Sequence, residues 1–412
     1  MVTKYDIFQV MYENQIGWYP KDFLKAFNKH SHDDYQSIQY LLRAMLKEKL
    51  ITKTANGYKI MPTERSHLLY QMLQYCIQNE LKYNYLFHPY LIRFVAQIAT
   101  KPEFTSKDGN VSPRLFNKYV DILQRSGYLL IKSRKPFKAK ILMNAYLLDV
   151  LEYFGHRIKS PSKRINYLAL IYLELKKFEK LLKTNLQTYK RIMADFQIRF
   201  IQHSLNLEGN PVTLTDTERI VKNLIVPSNL KPEHVEEVRS YQRAVEEMIQ
   251  KADQRQVLDI PTILHYHQLG MGHKPDFAGK IRSVPVHIRG NPNFKVAKPE
   301  EIQEKLEKLI ALYNTFIKGK RALAHIFEFA AFFHNEFQHI HPFEDGNSRT
   351  TRLITFHLIR TLGIPILDIP LGLLQDYLDA TKASKKRNDA QLETILQYIA
   401  IYNLKSINEK MQ

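Results

Sequence analysis

A chain of 412 residues, 44% apolar and 25% charged, is long enough for two or three globular domains and too rich in core-forming residues to be disordered. Nowhere does it run roughly eighteen residues without charge, as a membrane helix would need, and one cysteine, Cys76, excludes an intrachain disulfide framework. The formal charge of +19 favours polyanions, namely nucleic acid, anionic surfaces or phosphorylated ligands, without choosing among them.

The N-terminal stretch MVTKYDIFQV carries an acid where a signal peptide needs an unbroken apolar core. A reducing, cytoplasmic location with no membrane partner is therefore expected. Two segments of the N-terminal third then share a plan. In YQSIQYLLRAMLKEKLITKTANGYKI, Tyr35 to Ile60, helical spacing of Ile38, Leu41, Leu42, Met45 and Leu46 runs into two short strand-like stretches. Asn56-Gly57 between them is a hairpin signal, since both residues tolerate positive φ. In SPRLFNKYVDILQRSGYLLIKSRKPFKAKILM, Ser112 to Met143, Ser112 and Pro113 suit the N-cap and first position of a helix. Gly127 suits its end, and two strand-like runs flank the basic turn SRKPFKAK. Helices leading into a two-stranded ribbon resemble a winged helix, so residues 1–65 and 80–156 are expected to form two such modules. DNA is a candidate partner, met by a helix in the major groove and by Lys132, Arg134, Lys135, Lys138 and Lys140 on phosphates; a protein-docking or structural winged helix is the alternative.

RIKSPSKRIN, residues 157–166, reads as a linker, and residues 167–405 as a mostly helical domain. That domain opens with a long amphipathic pattern from Tyr167 to Leu207, free of Pro and Gly. At its end, in SLNLEGN, Ser204 and Glu208 stand four apart before a glycine suited to the C-cap. The helix dipole disfavours a glutamate there, so Glu208 is expected to have a cationic partner. GKIRSVPVHIRG, 279–290, alternates Val284, Val286 and Ile288, which suggests a small β-hairpin flap.

Histidines cluster at His334, His339 and His341, and again at His265 and His267, but without the spacing of a zinc site. His334, in an apolar helical stretch, reads as a core residue. A helix beginning near Lys320 should end at His341, because Pro342 follows. The turn FEDGN then feeds a second helix, SRTTRLITFHLIR. A helix N-terminus offers free N–H groups and partial positive charge to an anion. Gly346 permits close backbone approach, Arg349 and Arg352 share a face, Asp345 supplies a hard oxygen for Mg²⁺, and His341 could take a proton. Base, metal ligand, anion hole and arginine clamps are the parts of phosphoryl or nucleotidyl transfer.

His341-Pro-Phe343-Glu-Asp345-Gly346-Asn347-Ser348-Arg349-x-x-Arg352 resembles the signature of the Fic family, departing from it at Ser348, where the family has glycine. The resemblance covers about residues 165–405 and implies a mainly α fold: a helical Fic domain with a small hairpin flap, preceded by the two winged-helix modules. It implies transfer of AMP from ATP to a protein Ser, Thr or Tyr hydroxyl, with self-modification, or transfer of phosphate or another nucleotide, as related outcomes. By position, His341 would be the general base and Asp345 the Mg²⁺ ligand. Gly346, Asn347 and Ser348 would form the anion hole, and Arg349 and Arg352 would hold the remaining phosphates. Phe343 would anchor the core, Val286, His287 and Ile288 would pair with the target by strand addition, and Tyr377 would stand near the adenine. A serine at 348 is expected to be strained, if the family's glycine serves by positive φ, or to crowd the phosphate, and so to reduce or alter activity. SLNLEGN is similar to the family's inhibitory motif, which implies that Ser204 and Glu208 engage Arg352, within one chain or across a homodimer. A DNA-binding regulator with a nucleotide-sensing Fic domain is the competing expectation.

Overall fold

The computed structural model describes residues 2–143, 145–158, 166–223, 226–227, 230–288, 291–381 and 386–412. Most of the expected linker, residues 159–165, and the end of the expected flap, residues 289–290, lie outside them. The chain divides into two compact units, Met1–Ser160 and Pro161–Gln412. No described helix is long and apolar enough to cross a membrane.

The first unit runs α1 (Lys4–Asn14), α2 (Pro20–Ala26), α3 (His32–Lys47), β1 (Ile51–Thr54), β2 (Gly57–Ile60), α4 (Glu64–Gln78), α5 (Tyr83–Leu86), α6 (Pro89–Ala99), α7 (Pro113–Arg125), β3 (Leu129–Arg134), β4 (Phe137–Ile141) and α8 (Ala145–Tyr153). The β1–β2 turn is Ala55–Asn56, and Gly57 alone takes the positive φ, 96°. Trp18 pairs with Tyr58, adding a third short rung to that ribbon, and Phe104 does the same with Ala139 of β4. Helix, single bridge, helix and ribbon thus recur in the same order. Ser112 caps α7 through Leu115 N, with Pro113 at its first position.

The second unit is helical: α9 (Leu168–Leu182), α10 (Leu186–Asn206), α11 (Leu214–Asn223), α12 (Pro232–Asp253), α13 (Ile260–Gly270), α14 (Ile302–Ile317), α15 (Leu323–Ile340), α16 (Asn347–Thr361), α17 (Leu374–Ala380) and α18 (Asp389–Met411). The periodic run from Tyr167 is two helices, not one. At the break, the side chains of Thr184 and Asn185 both donate to Leu181 O, at 3.4 and 3.2 Å, alongside the backbone bond from Asn185 N at 2.9 Å. α16 is buried along its whole length and packs against α12, α13 and α15. Such a central helix can carry Arg349, Arg352 and Arg360 only because each finds an acid.

The expected flap is not a hairpin among the described residues. Residues 281–288 form no strand, and both two-stranded ribbons belong to the first unit. Pro285 lacks an N–H, and the buried Arg282 guanidinium takes the carbonyls of Val284 and Ala297, at 2.8 and 2.6 Å. These contacts tie the segment down without a partner strand among the described residues.

Candidate active site

α15 ends because His341 adopts left-handed geometry, φ 50°, and Pro342 cannot continue the ladder. The loop Pro342–Gly346 is closed by Asn347, whose side chain accepts from Phe343 N at 3.0 Å and donates to Phe343 O at 2.7 Å. Phe343 is fully buried and stacks on His267, centroids 3.6 Å apart. Gly346, φ 79°, is the N-cap of α16, and a Cβ there would lie 2.7 Å from Met271 Sδ. Glycine is required at this position on both counts. The first helical bond runs from Thr350 N to Gly346 O, so the N–H groups of Asn347, Ser348 and Arg349 precede the ladder. Together they leave the positive end of α16 with donors that an anion could take. Asn347 joins that end by its backbone only, since its amide is committed to the loop.

Ser348 lies within α16 with ordinary helical backbone. The crowding expected of a serine in a glycine's place does not arise from its φ. A residue in right-handed helical geometry needs no glycine.

His341 is buried, and its Nδ1 lies 3.2 Å from Gln338 O. That carbonyl calls for a proton on Nδ1, which leaves the lone pair on Nε2. Burial lowers its pKa to about 4, against the smaller upward pull of Gln338 O, so the ring is neutral at pH 7 and able to accept a proton. Asp345 bonds Gly346 N through Oδ1 at 2.6 Å and Lys274 through Oδ2 at 2.9 Å. Burial would raise its pKa; Arg349, Lys274 and the Gly346 N–H outweigh that and hold it at about 2. A half-exposed, fully ionised carboxylate beside a helix N-terminus fits the single hard ligand that a phosphate-bound Mg²⁺ takes from protein. Lys274 supplies the positive charge this carboxylate meets in the structure.

Both arginines of the loop helix are already engaged. Arg352, fully buried, donates through Nε to Ser204 Oγ at 2.7 Å. Its NH2 reaches Ser204 O at 2.9 Å and Glu208 Oε1 at 3.0 Å. Burial works against its charge, but Glu208, Tyr241 and Tyr377 overcome this and raise its pKa. Glu208 follows the end of α10, where Gly209, φ 93°, turns the chain. The contact is made within one chain. Arg349 pairs with Glu237 of α12 and, at 3.2 Å, with Asp345. Asn210, two residues beyond Glu208, donates to the other Glu237 oxygen at 2.8 Å. One segment, Glu208-Gly209-Asn210, therefore holds Arg352 directly and Arg349 through Glu237.

Tyr377 is buried beside this cluster, its hydroxyl 2.6 Å from His334 Nε2, and burial raises its pKa. Val286, His287 and Ile288 lie on the segment held by Arg282, half-buried or exposed, with Asn291 N on Ile288 O at 3.1 Å. That segment is tied to the loop at both ends: Arg282 N bonds Pro342 O at 2.9 Å, and Ala297 N bonds His339 O at 2.8 Å. Arg282 Nε also donates to His341 O at 2.7 Å. Arg282, Lys274 and Glu237 carry no motif of their own in the sequence, and His267 and His339 stood out there only as members of histidine clusters. His267 accepts from Gly279 N through Nδ1 and meets Asp345 O through Nε2, at 2.8 and 2.9 Å. His339 stacks on Phe294, centroids 4.4 Å apart, and bonds Lys295 O. Only the H-x-H spacings hinted that these histidines act as struts.

Residues 231–359 match the Fic/DOC family model. The chain is similar to the protein adenylyltransferase Fic of Nematostella vectensis, 31% identical over 219 residues, 51% of this chain and 48% of that protein. It is also similar to the protein of that name from Aedes aegypti, 23% identical over 304 residues, 70% of this chain and 56% of that one. Protein adenylyltransferase fic-1 of Caenorhabditis briggsae is 27% identical over 224 residues, 53% and 42% of the two chains. The chain spans about half the length of the curated relatives it matches. In fold it resembles a Fic domain-containing signaling protein from Bacteroides thetaiotaomicron, with TM-score 0.52 and 22% identity, over 60% of this chain and 98% of that one.

Proposed function

From the match of residues 231–359 to the Fic/DOC family model, we propose that the chain is a self-inhibited protein adenylyltransferase using ATP and Mg²⁺. The observation that carries this reading is the convergence on one loop of a neutral His341, an ionised Asp345 and the open N-terminus of α16. A target hydroxyl oxygen bonds to the α-phosphorus, the bond from that phosphorus to the bridging oxygen breaks, and pyrophosphate leaves. The hydroxyl proton passes to Nε2 of His341. Backbone N–H groups of Asn347, Ser348 and Arg349 receive the phosphate oxygens, and Arg349 and Arg352 receive the β- and γ-phosphates. Asp345 would hold Mg²⁺, which neutralises phosphate charge when bound. Tyr377 closes the wall beside Arg352. The target segment lies along Val286, His287 and Ile288 as an added strand, for which the segment's lack of a partner strand among the described residues speaks.

In this reading Glu208 and Ser204 occupy Arg352 and keep the γ-phosphate from its productive place. The buried Cys76 suits a reducing cytoplasm. The domain scheme we adopt is two winged-helix modules, 1–65 and 80–156, a linker at 157–166, and the catalytic domain at 167–405.

The test is incubation of wild type, Glu208→Gly and His341→Ala with Mg²⁺ and α-labelled ATP, followed by mass spectrometry. Protein-bound AMP, on a target or on the chain's own hydroxyls, should rise in the first variant and vanish in the second. Label from γ-labelled ATP instead would identify phosphate transfer. ATP binding without label in any sample would favour the second reading, a nucleotide-sensing regulator, for which the basic β3–β4 turn speaks.

A further inference from the structure

The two modules of the first unit share an element order but not a charge. In the first, α3 begins with Asp33 and Asp34 in its first turn, and the β1–β2 turn, Ala55–Asn56, is uncharged. In the second, the first two turns of α7 hold no acid. Arg114, Asn117 and Lys118 stand exposed there at helical spacing. Further along, Asp121 is balanced by Arg125 at 2.8 Å. The opposite face of α7, with Phe116, Tyr119, Val120 and Leu123, is buried. Phe116 meets Phe137 edge-on, centroids 5.1 Å apart, and Phe104 joins them. Phe137 is the first residue of β4, so this contact fixes the ribbon's turn beside the start of α7. Lys135 and Lys138 are exposed at that turn. Lys132 pairs with Glu103, and Lys140, whose pKa burial lowers, is half-buried. The exposed bases thus gather where helix start and ribbon turn meet.

An α-helix whose N-terminal side chains reach base edges, beside a basic turn that follows phosphates, is the docking geometry of a winged helix–turn–helix on duplex DNA. Arg and Asn are the side chains that read guanine and adenine in the major groove. We propose that the second module alone binds duplex DNA, with Arg114, Asn117 and Lys118 of α7 in the major groove and Lys135 and Lys138 on the backbone. The acidic start of α3 would face phosphates with like charge, which removes the first module from that role. The proposal rests on the first unit only and stands apart from the transferase reading.

The experiment uses the full chain and a fluorescent mixed-sequence duplex, read by anisotropy at several salt concentrations. Wild type should bind, with affinity falling linearly in log salt. Lys135→Ala/Lys138→Ala, by removing two phosphate contacts, should lower the slope by about 1.8, so its deficit against wild type shrinks about 12-fold between roughly 50 and 200 mM salt. Arg114→Ala/Asn117→Ala should flatten the sequence preference recovered by selection from a random duplex pool. Arg43→Ala/Lys47→Ala, exposed changes on α3, should leave both measurements unchanged. All substituted side chains are exposed, and matching thermal melts confirm intact folding. No duplex binding at low salt, or an equal loss from the α3 variant, would overturn the proposal; the first outcome would leave α7 as a protein-docking face.

Discussion

Replacing Glu208 perturbs one oxygen of one buried contact, and its consequence can be worked from the geometry. Arg352 is 1% exposed and makes three hydrogen bonds, two to Ser204 and one to Glu208, whose side chain is 19% exposed. Removing one partner of a buried pair costs about 3–5 kcal/mol, because a charge is left uncompensated. The partial exposure of Glu208 and the surviving Ser204 bonds place this case at the lower end, about 3 kcal/mol. A γ-phosphate that takes the vacated place recovers that energy, so productive nucleotide binding should strengthen about 100-fold, at 1.4 kcal/mol per tenfold. In Glu208→Gly, the initial rate of AMP incorporation at subsaturating ATP should rise by that factor, while the ATP-free protein should melt lower than wild type. Adding His341→Ala should abolish the rate and keep the lowered melting point. Glu208→Gln separates charge from bulk, since the amide still accepts from Arg352 but carries no charge. Release by glutamine points to charge, persistence of inhibition to occupied space. Unchanged labelling and unchanged stability in Glu208→Gly would refute the reasoning.

Glu237 should act as a second restraint, on Arg349. Glu237→Gln in the Glu208→Gly background exchanges a charged hydrogen bond for a neutral one, worth about 1 kcal/mol, and should raise the labelling rate roughly fivefold. A rate at or below that of the single variant would assign Glu237 to positioning Arg349, not restraining it. Gly346→Ala meets both φ 79° and a Cβ 2.7 Å from Met271 Sδ. Strain and overpacking together cost about 2–4 kcal/mol, visible as a lowered melting point with lost activity. Ser348→Gly, at a helical position, should change the rate less than tenfold. A much larger gain would mean that the serine obstructs phosphate by its side chain. Acid should weaken the second unit. His267, His334, His341 and His357 are buried, and burial lowers their pKa values to about 4, 3, 4 and 4. With folded values below the unfolded 6.5, the unfolded chain binds protons first as pH falls, so stability is full above 6.5 and lost progressively toward 4. At pH 5 each contributes a loss of about 2 kcal/mol at most, and the unit's melting midpoint should drop by roughly 15 °C or more from pH 7. A midpoint flat across that range would contradict the burial of these rings.

Much of the site was legible because its parts are local. His341, Asp345, Gly346 and Arg349 occur within nine consecutive positions, and the events that arrange them are short-range: Pro342 ends one helix, a glycine turns the chain, and the next helix begins. Ser112-Pro113 marked the start of α7 by the same logic. At Thr184 and Asn185, whose side chains turn back onto Leu181 O, one expected helix became two. Among the described residues the flap forms no hairpin, for a different reason. Alternating valines give strand character, but a strand needs a pairing edge, and Arg282 binds the segment's carbonyls instead.

The sequence by itself determined that a tight loop between α15 and α16 leads into an open helix N-terminus, because turn chemistry and helix termini are set by a few neighbouring residues. It also indicated that Glu208 requires a cation, since a carboxylate at a helix's negative end is uncompensated. Only the tertiary structure decided which groups close the circuit: Glu237 stands 112 residues from Arg349, and Lys274 stands 71 from Asp345. Those distances are spanned by the packing of α12 and α13 against α16. Side-chain partners across such an interface are fixed by how helices lie together and leave no periodicity or spacing in the chain.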